Sequence, residues 1–388
     1  MTQERVFSLS WTKYEWKFVL LHQIRTIINM CFAEGTIVLT DNGYKTIEEI
    51  SVGDNIMTHK NVFRQCVNIL KTETHNELLE INAMSFYRLN CDKEQEFYIR
   101  RLFRYGHKWI RAFHEPEWVA AKDLDKNCYL GYAINTKEEI PIWEGSIDNR
   151  WGHHRQVNAL KPFLDNGDFW YLMGRYVGDG WRRDDASHKA IIIVCNERDL
   201  ISLKAVLDLL NWNYTEVKEG SVKKITIYSR ELCEFVRRFG YKAYGKFIDN
   251  GTLNLPVSLL KRFIDGLIES DGCYNKKTNH WHLTTVSRTL AISYCQAVAK
   301  VYHSPLKVNM CIMPQKTTIE GRIVNQRDMY IVRFKKEPAK QDKAFYENGY
   351  IWFPITSISQ IQAQSPLYSL EIQEDKSFTA NGAIVKGL

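Results

Sequence analysis

Two stretches in the middle of the chain, FWYLMGRYVGDGW at 169–181 and KRFIDGLIESDGCY at 261–274, are built on one plan. Each is an apolar, helix-compatible run with small residues four apart that ends in Asp-Gly. Gly174 and Gly178 precede Asp179-Gly180; Gly266 and Ser270 precede Asp271-Gly272. Positions i and i+4 share a helix face. A glycine inside a helix costs about 1 kcal/mol relative to alanine, so a face built of small residues asks for a compensating contact. Close approach of a second helix supplies one. Two helices packed through these faces bring Asp179 and Asp271 together at one end. One Asp-Gly after a helix reads as a capping turn; two in matched settings favour a shared site.

The segments downstream of the two runs repeat as well. After Asp179 come AIIIVCN (190–196) as a strand, ERDLISLKAVLDLLNW (197–212) as a helix, strands around YTEVKE and KKITIYS, and a closing helix, RELCEFVRRFG (230–240). After Asp271 come HWHLTTVS (280–287), the helix RTLAISYCQAVAKVY (288–302), LKVNMCIM and MYIVRFKK (329–336). These patterns predict two α+β units. Faces carrying Lys224, Thr226 and Tyr228, and Arg327, Tyr330 and Arg333, mix basic, hydroxyl and aromatic groups suited to phosphates and base edges. Lys224, Tyr228, Arg327 and Arg333 are the expected DNA contacts. The charge agrees: residues 151–345 hold 31 Lys/Arg against 20 Asp/Glu, the flanks 21 against 25. Two carboxylates beside a basic sheet predict metal-assisted phosphodiester hydrolysis. Mg²⁺, or another divalent ion, would be held by Asp179 and Asp271, with phosphate oxygens completing its shell.

LMGRYVGDG (172–180) and IDGLIESDG (264–272) resemble the paired LAGLIDADG motifs of homing endonucleases. The resemblance implies a pseudo-twofold αββαββα pair spanning about 150–342, with repeats at about 165–250 and 255–340. It implies a saddle over double-stranded DNA, with Asp179 and Asp271 as catalytic metal ligands. It implies a double-strand cut at a long asymmetric site, made by a monomer, since one chain carries both halves. It also implies a lysine per half that polarises the attacking water. Lys246 in YGKFIDNGTLNLP fits the first; Lys335 or Lys336 fits the second, with Lys336 the assignment.

The flanks read as all-β. CFAEGTIVLTDNGYKTIEEISVGDNIMTHK from residue 31 has a turn at Asp41-Asn42-Gly43, one helical turn in KTIEEI and another turn at Gly53-Asp54. The end, PLYSLEIQEDKSFTANGAIVKGL (366–388), is strand, turn at Asn381-Gly382, strand. Alone it would be marginal, so it is expected to complete the first β region. Together, 31–145 and 345–388 resemble the two parts of an intein's Hint domain interrupted by the endonuclease. In that family Cys31 would attack the carbonyl of Met30 to form a thioester. The closing chemistry departs from the pattern. Asp92 and Gln95 stand where Thr and His are usual, and Ser369 and Lys376 where Asp and His are. Lys386, Gly387 and Leu388 stand for the penultimate His, the cyclising Asn and the downstream nucleophile. Glycine has no side chain to cyclise, so splicing is expected to be lost and Cys31 to be a former nucleophile.

Nine cysteines without a CxxC pair argue against a disulfide framework or a zinc site and for a reducing cytoplasmic or nuclear compartment. No apolar run reaches the roughly 20 residues of a membrane span. Residues 1–30, with Trp11, Tyr14, Phe18 and Leu21 at near-helical spacing, are either the stub of a former host protein or an added helix. Two other readings stay open: an autoprocessing intein active at Cys31, and a non-cutting DNA- or RNA-binding relic or maturase.

Overall fold

The computed structural model describes residues 30–388 except 73–76, 85–87, 106–109, 149–154, 186–188, 305, 315, 320, 340–341 and 363–364. The extension at 1–29 lies outside the described residues. The first β region begins with the two-residue strand Phe32–Ala33 and then a hairpin, β1 (Ile37–Thr40) and β2 (Gly43–Thr46), closed at Thr40 opposite Gly43. A single helical turn, Ile47–Glu49, comes after it, its start fixed by the Thr46 N–H donating to the Glu49 carboxylate at 3.0 Å. Longer strands come next, among them β3 (Phe63–Thr72) and β4 (Cys128–Ala133).

The first repeat opens on helix α1 (Gly167–Asp179), then β5 (Gly180–Asp184), β6 (Lys189–Cys195), α2 (Glu197–Leu209), β7 (Thr215–Glu219), β8 (Val222–Tyr228) and α3 (Arg230–Phe235). Side-chain oxygens of Asn166, Asn196 and Ser229 accept N–H groups at the starts of the three helices. The second repeat is α4 (Val257–Asp271), β9 (Gly272–Asn275), β10 (His280–Thr285), α5 (Arg288–Tyr302), β11 (Lys307–Cys311) and β12 (Met329–Phe334). Both four-stranded sheets have the same order, β5-β6-β8-β7 and β9-β10-β12-β11. The second repeat adds a hairpin, Lys316–Ile319 with Arg322–Asn325. It also departs from the expected αββαββα plan, because no closing helix succeeds β12 among the described residues. KKEPAKQ has no apolar stripe, and its Pro338 cannot donate a helical hydrogen bond.

After the short strand Phe345–Glu347, which pairs with β13, four strands return to the first β region: β13 (Tyr350–Gln362), β14 (Leu367–Ile372), β15 (Ser377–Ala380) and β16 (Ala383–Lys386). β13 pairs with β4, β14 with β3, β15 with β1, and β16 with β4 and β15. The turn between β15 and β16 has φ of 49° at Asn381 and 97° at Gly382, the geometry an Asn-Gly pair favours. Among the described residues, sixteen strands from the two flanks join in one network. Phe32 packs edge-on against Phe97 and Phe378 at its centre. The chain leaving β4 is tied to the second repeat: Gln296 donates to the Ala133 carbonyl at 3.0 Å, Lys300 to that of Lys137, and Asn135 to Asn254 at 2.7 Å.

Candidate functional site

Helices α1 and α4 meet through their small residues with almost nothing between them. A Cβ added to Gly174 would lie 2.0 Å from the Phe263 carbonyl oxygen, and one on Gly266 would lie 2.1 Å from that of Tyr171. A Cβ on Gly178 would lie 2.2 Å from the Ser270 Cβ. An Arg262–Asp168 ion pair at 2.6 Å joins the two helices near the start of α1. At the far end the last residues of the helices are Asp179 and Asp271. Burial pushes the Asp271 carboxyl up and the Asp179 carboxylate pushes it further, to about 6, although Lys246 and Arg175 pull it down. Asp271 keeps part of its surface exposed, and the neighbouring carboxylate acts on it in the same direction as burial. Burial also raises Asp179, against Arg175, Lys246 and a Ser270 hydrogen bond. A cavity of about 280 Å³ opens beside them, lined by Val177, Gly178, Lys246, Asp271, Thr284 and Met329.

Two hard oxygen donors are therefore brought together as the sequence predicted. No group of three or more His, Cys, Asp or Glu side chains with metal-binding geometry exists among the described residues. The donor set fits an ion that takes one or two carboxylates, keeps its waters and accepts phosphate oxygens, which is Mg²⁺ chemistry. It does not form the closed cage of a structural zinc or calcium site.

The expected lysines fare differently. The Lys246 ammonium is buried and donates to the carbonyls of Tyr176, Val177, Gly178 and Gly180 at 3.1, 2.6, 2.9 and 2.8 Å. It satisfies the carbonyls that the end of α1 leaves open, so its N–H groups are committed to backbone and not to a water. Burial lowers its pKa to about 8 against the pull of Asp271 and Asp179. Lys246→Met should cost roughly 2–4 kcal/mol of stability in urea denaturation, since several charge-assisted bonds go. An unchanged midpoint would return Lys246 to the water-polarising role. Lys336 does not join the carboxylates. It pairs with Asp265 at 2.9 Å and lies over the Trp281 ring at 4.6 Å. Asp265 is six residues before Asp271, about 9 Å along the helix. Lys335 pairs with Asp342 at 2.5 Å.

On β8, Lys224, Thr226 and Tyr228 share the face opposite buried Ile225 and Ile227, as expected. Lys224 pairs with Glu219 at 2.8 Å and lies over Trp181. Arg327 precedes β12 and stacks on Tyr244 at 4.1 Å. Tyr330 and Arg333, three apart on a strand of period two, cannot share a face; that grouping is corrected. Register instead lines up Cys273, His282, Arg333 and Lys307 across the second sheet. His280, His282, Lys307, Arg333 and Lys335 line a cavity of about 350 Å³. The histidines and Lys307 were missed; strict alternation along HWHLTT would have found the histidines, while Lys307 joins them only through strand pairing. Arg175, a charge inside an apolar helical run, was also overlooked.

The flanking positions gather too. Cys31 is 1% exposed, and burial, with the Asp92 charge, pushes its thiol up to about 12. The Asp92 N–H donates to the Cys31 carbonyl at 3.0 Å, and buried Gln95 donates to the carbonyl of Lys386 at 2.9 Å. A Cβ on Gly387 would lie 2.5 Å from the Leu370 carbonyl oxygen. Hydroxylamine, which traps thioesters, is expected to release no fragment ending at Met30. A thiol reagent on the native protein should modify exposed Cys273 before buried Cys31. Cleavage after Met30 would revive the autoprocessing reading.

The sequence profile of the Hint domain matches residues 30–85. The chain is 22% identical to the ATP-dependent DNA helicase Hel308 of Thermococcus kodakarensis, over 93% of this chain and 36% of that protein. It is 21% identical to an uncharacterized protein of Methanocaldococcus jannaschii, over 91% and 50%, and 22% identical to an iron-sulfur cluster assembly SufBD family protein of Mycobacterium tuberculosis, over 92% and 42%. It thus spans half or less of the length of these relatives. Among solved structures it is similar to the homing endonuclease I-DmoI in complex with DNA and Ca, at 13% identity and TM-score 0.32, over 44% of this chain and 83% of that one. It is also similar to the N-terminal LAGLIDADG domain of DUF199/WhiA, at 14% identity and TM-score 0.29, over 44% and 75%.

Proposed function

We propose that the chain is a site-specific DNA endonuclease of the LAGLIDADG homing type, carried at about 150–342 within a Hint-derived β scaffold at 31–145 and 345–388 whose splicing chemistry has lapsed. The observation that carries this reading is the pairing of Asp179 and Asp271 at one end of a glycine-lined helix seam, between two sheets of matching strand order. Asp179 and Asp271 would hold a divalent ion, whose chemistry is to activate water and stabilise the leaving oxygen. The chain's own share is to fix the two carboxylates, with Lys246 holding the end of α1 in place. Lys224, Tyr228, Arg333 and the His282–Lys307 row would lie along the duplex. Glycine at 387 and the buried thiol of Cys31 support the loss of splicing.

Cleavage-site selection from a randomised duplex library with Mg²⁺ tests this directly. A long asymmetric site cut on both strands is expected; no selected site would overturn the reading. Binding to that site should fall roughly 10³–10⁵-fold between 50 and 200 mM salt if some six to ten phosphates are contacted. A flat salt response would remove the basic sheets from the interface.

A further inference from the structure

Arg175 sits in the middle of α1, wholly buried, and none of its three guanidinium nitrogens has a hydrogen-bond partner. The nearest carboxylate, Glu269 on α4, is 3.9 Å away and already accepts the hydroxyl of Tyr171. A buried cation so placed is expensive unless an anion answers it. Asp179 lies one helical turn further on, and the matching position of the second repeat is Leu267, so the fold does not require a charge there. Lys246 is the other buried cation acting on Asp179 and Asp271. It is bonded to the carbonyls on either side of Asp179 and lines the same cavity as Asp271.

We propose that Arg175 and Lys246 neutralise the Asp179–Asp271 pair in the free protein, so that a divalent ion is retained only when a duplex adds its phosphates. This rests on the nuclease reading of the same site. The count is two buried cations against two carboxylates. Asp199 and Glu269 also face this region, but Asp199 acts on Asp179 less strongly than Arg175 or Lys246 does, and Glu269 is 44% exposed. At equal distance an interaction screened by water is about fourfold weaker than one at the effective dielectric of a protein site, so the two buried cations outweigh Glu269. A free ion then meets a site of nearly zero net charge. When DNA docks, phosphate oxygens restore negative charge and complete the shell.

The test uses Mn²⁺ alone, titrated into the full-length protein without DNA, with the D271N variant as the blank for other sites. The parent is expected to bind Mn²⁺ weakly, in the millimolar range. Arg175→Leu, which copies the second repeat, should bind at least tenfold more tightly, and Arg175→Lys, which keeps the charge, should stay close to the parent. If Arg175→Leu does not fold, Arg175→Met, closer in length, replaces it. Micromolar binding by the parent, or equal affinity in parent and neutral variant, overturns the proposal. The readout needs no cleavage. A protein that binds Mn²⁺ as expected yet cuts no duplex refutes the nuclease reading alone.

Discussion

Asp179→Asn and Asp271→Asn should each give a protein that still binds its duplex and no longer cuts it. The amide is the same size as the carboxylate, so the helix seam is undisturbed; the loss is of the charge that would hold a divalent ion. A loss of at least about 10³ in cutting rate is expected for either change, equivalent to roughly 4 kcal/mol of transition-state stabilisation. Affinity should change by no more than a few-fold, because phosphate contacts along the sheets dominate binding. The two variants should resemble each other, since burial raises both carboxyls and each would supply one ligand to a shared ion. Strand-specific labels on the selected duplex make the measurement. Continued cutting of both strands by either variant would mean that the carboxylates do not work as a pair.

The second large effect is on folding. Gly174→Ala adds one methyl group and, on an isolated helix, would stabilise by about 1 kcal/mol. Here that methyl would stand 2.0 Å from the Phe263 carbonyl oxygen and 2.8 Å from the Leu267 nitrogen. Both are backbone atoms of the facing helix, with no rotamer to yield. The helices must separate, so the cost should reach or exceed the upper end of overpacking penalties, about 3 kcal/mol. Ser270→Ala, where a Cβ is already present, should cost under about 1 kcal/mol. Equilibrium unfolding of the two variants side by side checks the contrast. A Gly174→Ala protein as stable as its parent would show that the seam is wider than described.

Much of this site was legible in the sequence because the features that make it are local. Small residues four apart and a terminal Asp-Gly define a helix face and its end, and the repeat supplies the partner. The hairpin turn at Asn381-Gly382 was readable for the same reason: its two residues take φ of 49° and 97°, values few other pairs accept. The features that stayed hidden depend on which side chain another segment reaches first. Lys336 lay at the right distance in sequence, but Asp265 and Trp281 hold it. Lys246 reached the site yet is occupied by carbonyls that only the folded end of α1 presents. The grouping of Tyr330 with Arg333 failed for a simpler reason, a spacing of three applied to a strand. Arg175 was hidden because nothing in its neighbours' identities signals that a charge would be left without a partner.

The bare contact between α1 and α4 has a consequence for how such a protein can change over generations. The separation of the two carboxylates is set mainly by the thickness of two peptide backbones, and at Gly174 and Gly266 there is no side chain to exchange in order to tune it. The sheet faces carry no such backbone contact: Lys224, His282, Lys307 and Arg333 are side chains on strands outside the helix seam. On the nuclease reading proposed above, recognition would be free to drift toward new sequences while the offset between the two cuts stayed constant, a ruler made of main chain beneath a reading surface made of side chains.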